Sequence, residues 1–378
     1  MVAGIVGAVT GFASTFAVVL AGLLAVGATP AEAASGLLTL CLLQAALAVV
    51  LSWRARQPLS FAWSTPGAAL LVAAQGSTSS FGAAVGAFIV CGALVVLTGL
   101  WPRLGRMMTS IPAPLTGAML AGILFPLCLA PVTASVEAPL LALPIVVVWL
   151  VLQRFAPRWA VPAAMVVALI GIVIVSGGAP IEAGSALPGL HLVIPELDPL
   201  VIVSLGIPLY IVTMAGQNVP GFAVLSTFGY DHVPTRAVLV GSGAATMIGA
   251  PFGAHAVNLA ALSAAIMAGP DAHPDRGRRW IAAVAGGISY LPLGLAAGIA
   301  GSFVTGASPL LIEAVAGLAL IGAFISGLVS AFADERHRLA AAATFVVVAS
   351  GMAVVGIGSA FWGLLVGGAV YLWTSRRR

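Results

Sequence analysis

Phe61-Ala-Trp-Ser-Thr-Pro-Gly-Ala-Ala-Leu70 and Gly249-Ala-Pro-Phe-Gly-Ala-His-Ala-Val-Asn258 are two apolar stretches, each interrupted by Pro and Gly. Pro removes a backbone donor and Gly relaxes the helix, so each segment is expected to enter a membrane extended and become helical only midway. In the first, Pro66 suits the opening helical position, and Ser64 or Thr65 can cap it. In the second, the helix is expected to start around His255 to Val257, with Asn258 in its first turn. A half-helix that begins inside a bilayer points free N–H groups and the positive end of its dipole at whatever lies there. Two such ends facing each other make an anion site. Pro kinks in ordinary spanning helices are the alternative, but matched interruptions in both halves of a chain favour the paired site.

The rest of the chain supplies the membrane context. Of 378 residues, 61% are apolar and 7% charged, and the mean hydropathy is +1.15, outside the range of a soluble globular chain. Continuous apolar runs exclude a barrel, whose strands alternate apolar and polar over about 10 residues. Runs between polar or Pro/Gly breaks give spans near 2–26, 34–52, 60–74, 80–101, 112–130, 137–154 and 159–177. After a polar segment at 178–199, further spans lie near 200–228, 234–248, 250–268, 279–303, 309–332, 338–355 and 357–374. The expected fold is therefore an all-α polytopic membrane protein of fourteen transmembrane segments. An odd number of spans per half makes them two inverted repeats of seven, with the broken half-helices at segments 3 and 10.

Charge tests this layout. All 15 basic residues are Arg, and with a cytoplasmic N-terminus they fall in the even-numbered loops and at the C-terminus. The opposite loops hold Glu32, Glu137, Glu182, Glu196, Asp198 and Glu313 and no Arg. Short basic loops stay in the cytoplasm, which places both termini there. The basic excess is thus topological, and nucleic acid is not an expected partner. Cys41, Cys91 and Cys128 fall inside spans without metal-ligand spacing. No HExxH, aspartate-rich or Ser/His/Asp set appears, so neither a metal, a cofactor nor catalysis is expected.

His255 is the ionisable residue placed well inside a span; it is a candidate for substrate contact and proton coupling, or a neutral imidazole bonded to a helix end. The expected substrate site comprises Ser64, Thr65, Pro66 and Gly67 of the first broken span and Phe252, Gly253, Ala254, His255 and Asn258 of the second. Gln217 and Asn218, just before Pro220-Gly221, bring amides that either bind a carboxylate or tie broken helices together. Ser14, with Thr15 beside it, is a weaker candidate, because hydroxyls in membrane helices commonly bond their own backbone. Phe12, Trp63, Tyr210 and Phe252 offer rings for an aromatic ligand, with core packing as the alternative.

The stretch from Gly249 to Ile266 with Gly269 to Asp275, Ala62-Trp-Ser-Thr-Pro-Gly-Ala-Ala-Leu70, and Gln217-Asn-Val-Pro-Gly-Phe-Ala-Val224 together resemble the benzoate/proton symporter family of the BenE type. The resemblance runs from about Gly11 to the last span. It implies proton-driven uptake of benzoate or a related aromatic carboxylate by a secondary transporter. The chain is also similar, more distantly, to uracil and xanthine transporters with seven-plus-seven inverted repeats. That likeness implies a core domain of 1–101 and 200–303, a gate domain of 112–177 and 309–374, elevator-type alternating access, and a homodimer as one arrangement. Nucleobase carriers commonly place a carboxylate in span 8, where this chain has Gln217 and Asn218. A carrier of a nucleobase or inorganic anion, or a passive anion channel, remain the other readings.

Overall fold

A computed structural model describes residues 1–76, 78–175, 188–298 and 309–375. The ends of the expected seventh and eleventh spans (176–177 and 299–303), Glu182 and Arg376 to Arg378 lie outside the described residues. The described elements are α1 (Val2–Ala25), α2 (Pro30–Ala55), β1 (Phe61–Trp63), α3 (Thr65–Ala73), α4 (Phe81–Leu100), α5 (Pro102–Ser110), α6 (Ala113–Glu137), α7 (Pro139–Phe155) and α8 (Pro157–Val175). They continue with α9 (Pro199–Thr227), α10 (Thr235–Gly249), β2 (Val257–Leu259), α11 (Ala261–Ala268), α12 (Trp280–Leu295), α13 (Pro309–Phe332), α14 (Arg338–Ala349) and α15 (Ser359–Ser375). Among the described residues, the six helices α1, α2, α4, α6, α9 and α13 are long and apolar enough to cross a membrane.

Helix ends follow local chemistry. The backbone N–H of Thr29 donates to Glu32 at 2.7 Å while Glu32 N–H donates back to the Thr29 hydroxyl at 3.3 Å, a reciprocal cap that starts α2 beside Pro30. Ser80 caps α4 by accepting from Ala83 N–H at 3.1 Å. In α9 a π turn over Met214–Asn218 precedes Pro220, and a second π turn over Ile202–Gly206 precedes Pro208. Each Pro lacks an N–H to continue the ladder, and the wider turn absorbs the gap. Helix α5 was not anticipated; it carries Arg103 and Arg106 on a short segment between α4 and α6.

The two broken spans meet. β1 pairs antiparallel with β2 in the register Phe61↔Leu259, Ala62↔Asn258 and Trp63↔Val257. Ser64 N–H donates to Ala256 O at 3.0 Å and Ala260 N–H to Ser60 O at 2.9 Å, extending the ladder at both ends. This ribbon corrects the expectation that the second helix begins near His255 to Val257 with Asn258 in its first turn. Asn258 lies in a strand, and α11 begins at Ala261. Extended chain entering apolar surroundings must satisfy its backbone groups, and pairing with the other extended segment does so. A purely helical fold class therefore understates the chain by one two-stranded ribbon. The expected span 338–355 also differs: α14 ends at Ala349, and a turn with Gly351 and Gly356 at positive φ leads to α15.

Close helix contacts rest on small residues. A Cβ built on Gly92 of α4 would lie 2.8 Å from Gly243 O of α10, and one on Gly243 would lie 2.6 Å from Gly92 O. Gly4 of α1 meets Ala282 O of α12 in the same way. Around the ribbon, α1 packs on α3, α11 and α12, and α2 on α10 and α12, while α6 packs along α13 and α14. The segment before α9 runs extended over the ends of α2 and α4. His191 N–H donates to the Ser35 hydroxyl at 2.9 Å, Val193 N–H to Pro251 O at 2.7 Å, and the Ser80 hydroxyl to Glu196 at 2.7 Å. Gly86 gives this strap room, since a Cβ there would overlap Glu196 O. Gly86→Val is therefore expected to detach the strap and lower the melting temperature of the purified protein by several degrees, the effect of about 1–3 kcal/mol of overpacking.

Candidate functional site

A cavity opens where the ribbon, α1 and α12 converge. It offers about 80 Å³ to water-sized molecules. Its wall is formed by Gly7, Thr10, Gly11, Ser14 and Thr15 of α1, Ala62 and Trp63 of β1, Thr65 of α3, Gln217 of α9, Ala260, Ser263 and Ile266 at α11, and Tyr290 of α12. Part of the lining is aromatic. Trp63 meets Phe12 edge-on at 5.8 Å and Tyr290 edge-on at 6.1 Å between ring centroids. Its indole Nε1 donates to the Thr15 hydroxyl at 3.0 Å, and that hydroxyl donates to Gly11 O at 2.9 Å. The ring is thereby fixed in place.

The lining also carries polar groups. Thr10, Thr65, Gln217, Ser263 and Tyr290 all reach the cavity, and among the described residues their side-chain polar atoms take no hydrogen bond from the protein. Two helix N-termini border it. Ser64 caps α3, accepting from Gly67 N–H at 3.1 Å, and its hydroxyl also accepts from Thr213 at 2.9 Å. The α3 cap is thus satisfied internally. At α11 the cap residue is Ala260, which has no side-chain hydrogen bond to offer, so the first N–H groups there keep their capacity for an acceptor.

The sequence-derived candidates separate into groups. Thr65, Gln217 and Ser14 line the cavity, and Phe12 backs it through Trp63. Ser64, Pro66 and Gly67 shape the start of α3 behind it. Asn218 is fully buried and holds the ribbon instead: its Oδ1 accepts from Leu259 N–H at 2.9 Å. Asn258 bonds Leu259 O through its own amide. Phe252 O accepts from the Ser35 hydroxyl at 2.9 Å, and Gly253, at φ +90°, packs against α2, so these two serve the α2 contact, while Ala254 packs beside Gly249 of α10. Tyr210 shares a 2.6 Å hydrogen bond with Thr98 of α4 and is outside the cavity wall.

His255 is fully buried, donates from Nε2 to Ser64 O at 3.0 Å, and lies edge-on to Phe88 at 6.4 Å. It touches the residue that caps α3, not the cavity itself. Its Nδ1 has no hydrogen-bond partner. Sequence reasoning missed Tyr290, Ser263 and Thr10. The available signal for Tyr290 was a phenol in mid-span, whose hydroxyl needs a partner away from lipid. Gln44 of α2 is fully buried with neither end of its amide bonded. Gln44→Met is expected to stabilise the protein by about 1–3 kcal/mol, the penalty of an unpaired buried amide, seen as a higher melting temperature in detergent.

Apolar helices long enough to cross a membrane, packed around a cavity lined by both rings and polar groups, fit the class of membrane transport proteins. A sequence profile of the family described as Benzoate membrane transport protein (BenE) matches residues 1–373, and the chain belongs to that family. It is 39% identical to Inner membrane protein YdcO of Escherichia coli (strain K12), over 98% of this chain and 95% of the relative. It is 30% identical to the Benzoate membrane transport protein of Acinetobacter baylyi, over 85% of this chain and 82% of the relative. Solved structures share the fold: the transmembrane domain of the cyanobacterial bicarbonate transporter BicA has a TM-score of 0.54 at 19% identity, covering 86% of this chain and 97% of that one. SLC26A9 has a TM-score of 0.65 at 14% identity, covering 99% of this chain and 65% of that one.

Proposed function

We propose that the chain is a proton-coupled carrier of benzoate or a related aromatic carboxylate, resident in the bacterial inner membrane with both termini cytoplasmic. The observation that carries this reading is the cavity, lined by Trp63 and Tyr290 together with Thr65, Gln217 and Ser263. A benzoate ring stacks against the first set while its carboxylate accepts from the second and from the open N–H groups of α11. The names of the two relatives, one a benzoate transporter and one an inner membrane protein, support both cargo and location.

In this reading the chain crosses the bilayer fourteen times as two inverted repeats, with α3 and α11 as the half-helices. Residues 1–101 and 200–303 form a core that carries the ligand past a gate of 112–177 and 309–374. Movement of this kind suits a site whose walls come from α1, α3, α9, α11 and α12, all within the proposed core. Bringing one anion in against a negative interior costs about 2.3 kcal/mol per 100 mV, so at least one proton must accompany it. His255 is the proposed proton carrier, acting through Ser64 on the α3 cap.

The test uses proteoliposomes. His255→Ala is expected to lose accumulation driven by an inward proton gradient, by tenfold or more, while retaining exchange of labelled for unlabelled benzoate at equal concentrations. Loss of both activities in a folded variant assigns His255 to binding, and retention of both removes it from coupling.

A further inference from the structure

The polar groups of the cavity outnumber those that a single carboxylate engages. Thr65, Gln217 and the start of α11 already provide donors for one carboxylate. The Tyr290 hydroxyl is left over. Tyr290 is only 4% exposed, yet its hydroxyl takes no hydrogen bond from any described residue. It lies against Gly11, where an added Cβ would be 3.1 Å away, so the absence of a side chain there leaves room for it. The nearby Gly11 carbonyl does not need it, since it accepts from Ser14 at 3.1 Å and Thr15 at 2.9 Å. The hydroxyl opens to the cavity without a protein partner, and a ligand hydroxyl that reaches it gains a hydrogen bond there. Unsubstituted benzoate presents only C–H groups away from its carboxylate and leaves Tyr290 unpaired.

We infer that the cavity takes ring-hydroxylated aromatic carboxylates, with Tyr290 as the hydrogen-bonding partner of the ring hydroxyl and hence a specificity residue. This rests on the reading that aromatic carboxylates occupy the cavity. The position of the hydroxyl matters. An ortho hydroxyl donates to its own carboxylate, so its proton is not free for Tyr290. A meta or para hydroxyl points away from the carboxylate and is free to pair. One ligand hydrogen bond changes affinity by about three- to tenfold.

Titration calorimetry of the purified full chain with benzoate and with ortho-, meta- and para-hydroxybenzoate tests this, in wild type and Tyr290→Phe. The expected result is that the meta or para isomer binds three- to tenfold tighter than benzoate in the wild type, that the ortho isomer shows no such gain, and that the ratio falls to about one in Tyr290→Phe. A ratio unchanged by Tyr290→Phe overturns the inference, as does weaker binding of both the meta and para isomers than of benzoate. Binding of hydroxybenzoates without benzoate supports the inference while removing benzoate as cargo. Binding of none of the four by protein that melts cooperatively overturns both.

Discussion

Gly11→Val reduces benzoate uptake by roughly ten- to a hundredfold while the protein stays folded. The reasoning is steric. A Cβ on Gly11 would sit 3.1 Å from the Tyr290 hydroxyl, and Gly11 is part of the wall of a cavity of about 80 Å³. The two methyls of Val take space that a ligand ring needs. Overpacking a filled site costs about 1–3 kcal/mol, and each 1.4 kcal/mol is tenfold in affinity. Helix α1 itself tolerates the change, because Val is a better helix former than Gly. Uptake assays with melting curves on the same preparation separate the two effects. Full transport in Gly11→Val means that the ligand lies elsewhere.

Gly67→Val acts on the frame of the site and affects both stability and transport. A Cβ at Gly67 would lie 2.6 Å from Leu209 Cδ1 and 2.8 Å from the Ser64 hydroxyl. Leu209 has a movable end, but the Ser64 hydroxyl is engaged by both Gly67 N–H and Thr213. The substitution therefore forces α3 away from α9 and breaks the cap. The cap contributes about 1 kcal/mol and the overpacking a further 1–3 kcal/mol or so. The expected result is a melting temperature lower by several degrees and uptake near background. Unchanged stability would show that the start of α3 shifts freely, contrary to a site built on a fixed half-helix.

Much of this arrangement was legible in the sequence. Pro66 and Gly67 mark where the first broken segment turns helical, and of Ser64 and Thr65, the two caps the sequence allows, Ser64 takes the role by accepting from Gly67 N–H. Those features are local, set by one residue's chemistry and its neighbours within three positions. The ribbon was not legible, because the pairing of Ala62 with Asn258 joins residues almost two hundred positions apart. The adjacent amides show the same limit. Gln217 and Asn218 differ by one position, yet the π turn directs Gln217 to the cavity and Asn218 to Leu259 N–H. Tyr290 was passed over because nothing in its own segment signals that α12 will bring it to Trp63.

Proton-driven transport of an aromatic carboxylate through this cavity is measured by uptake of radiolabelled benzoate into proteoliposomes of the purified protein, with and without an inward proton gradient. Accumulation above the external concentration is expected only when the gradient is present. Absence of benzoate uptake under either condition, by protein shown to be folded, rules this function out.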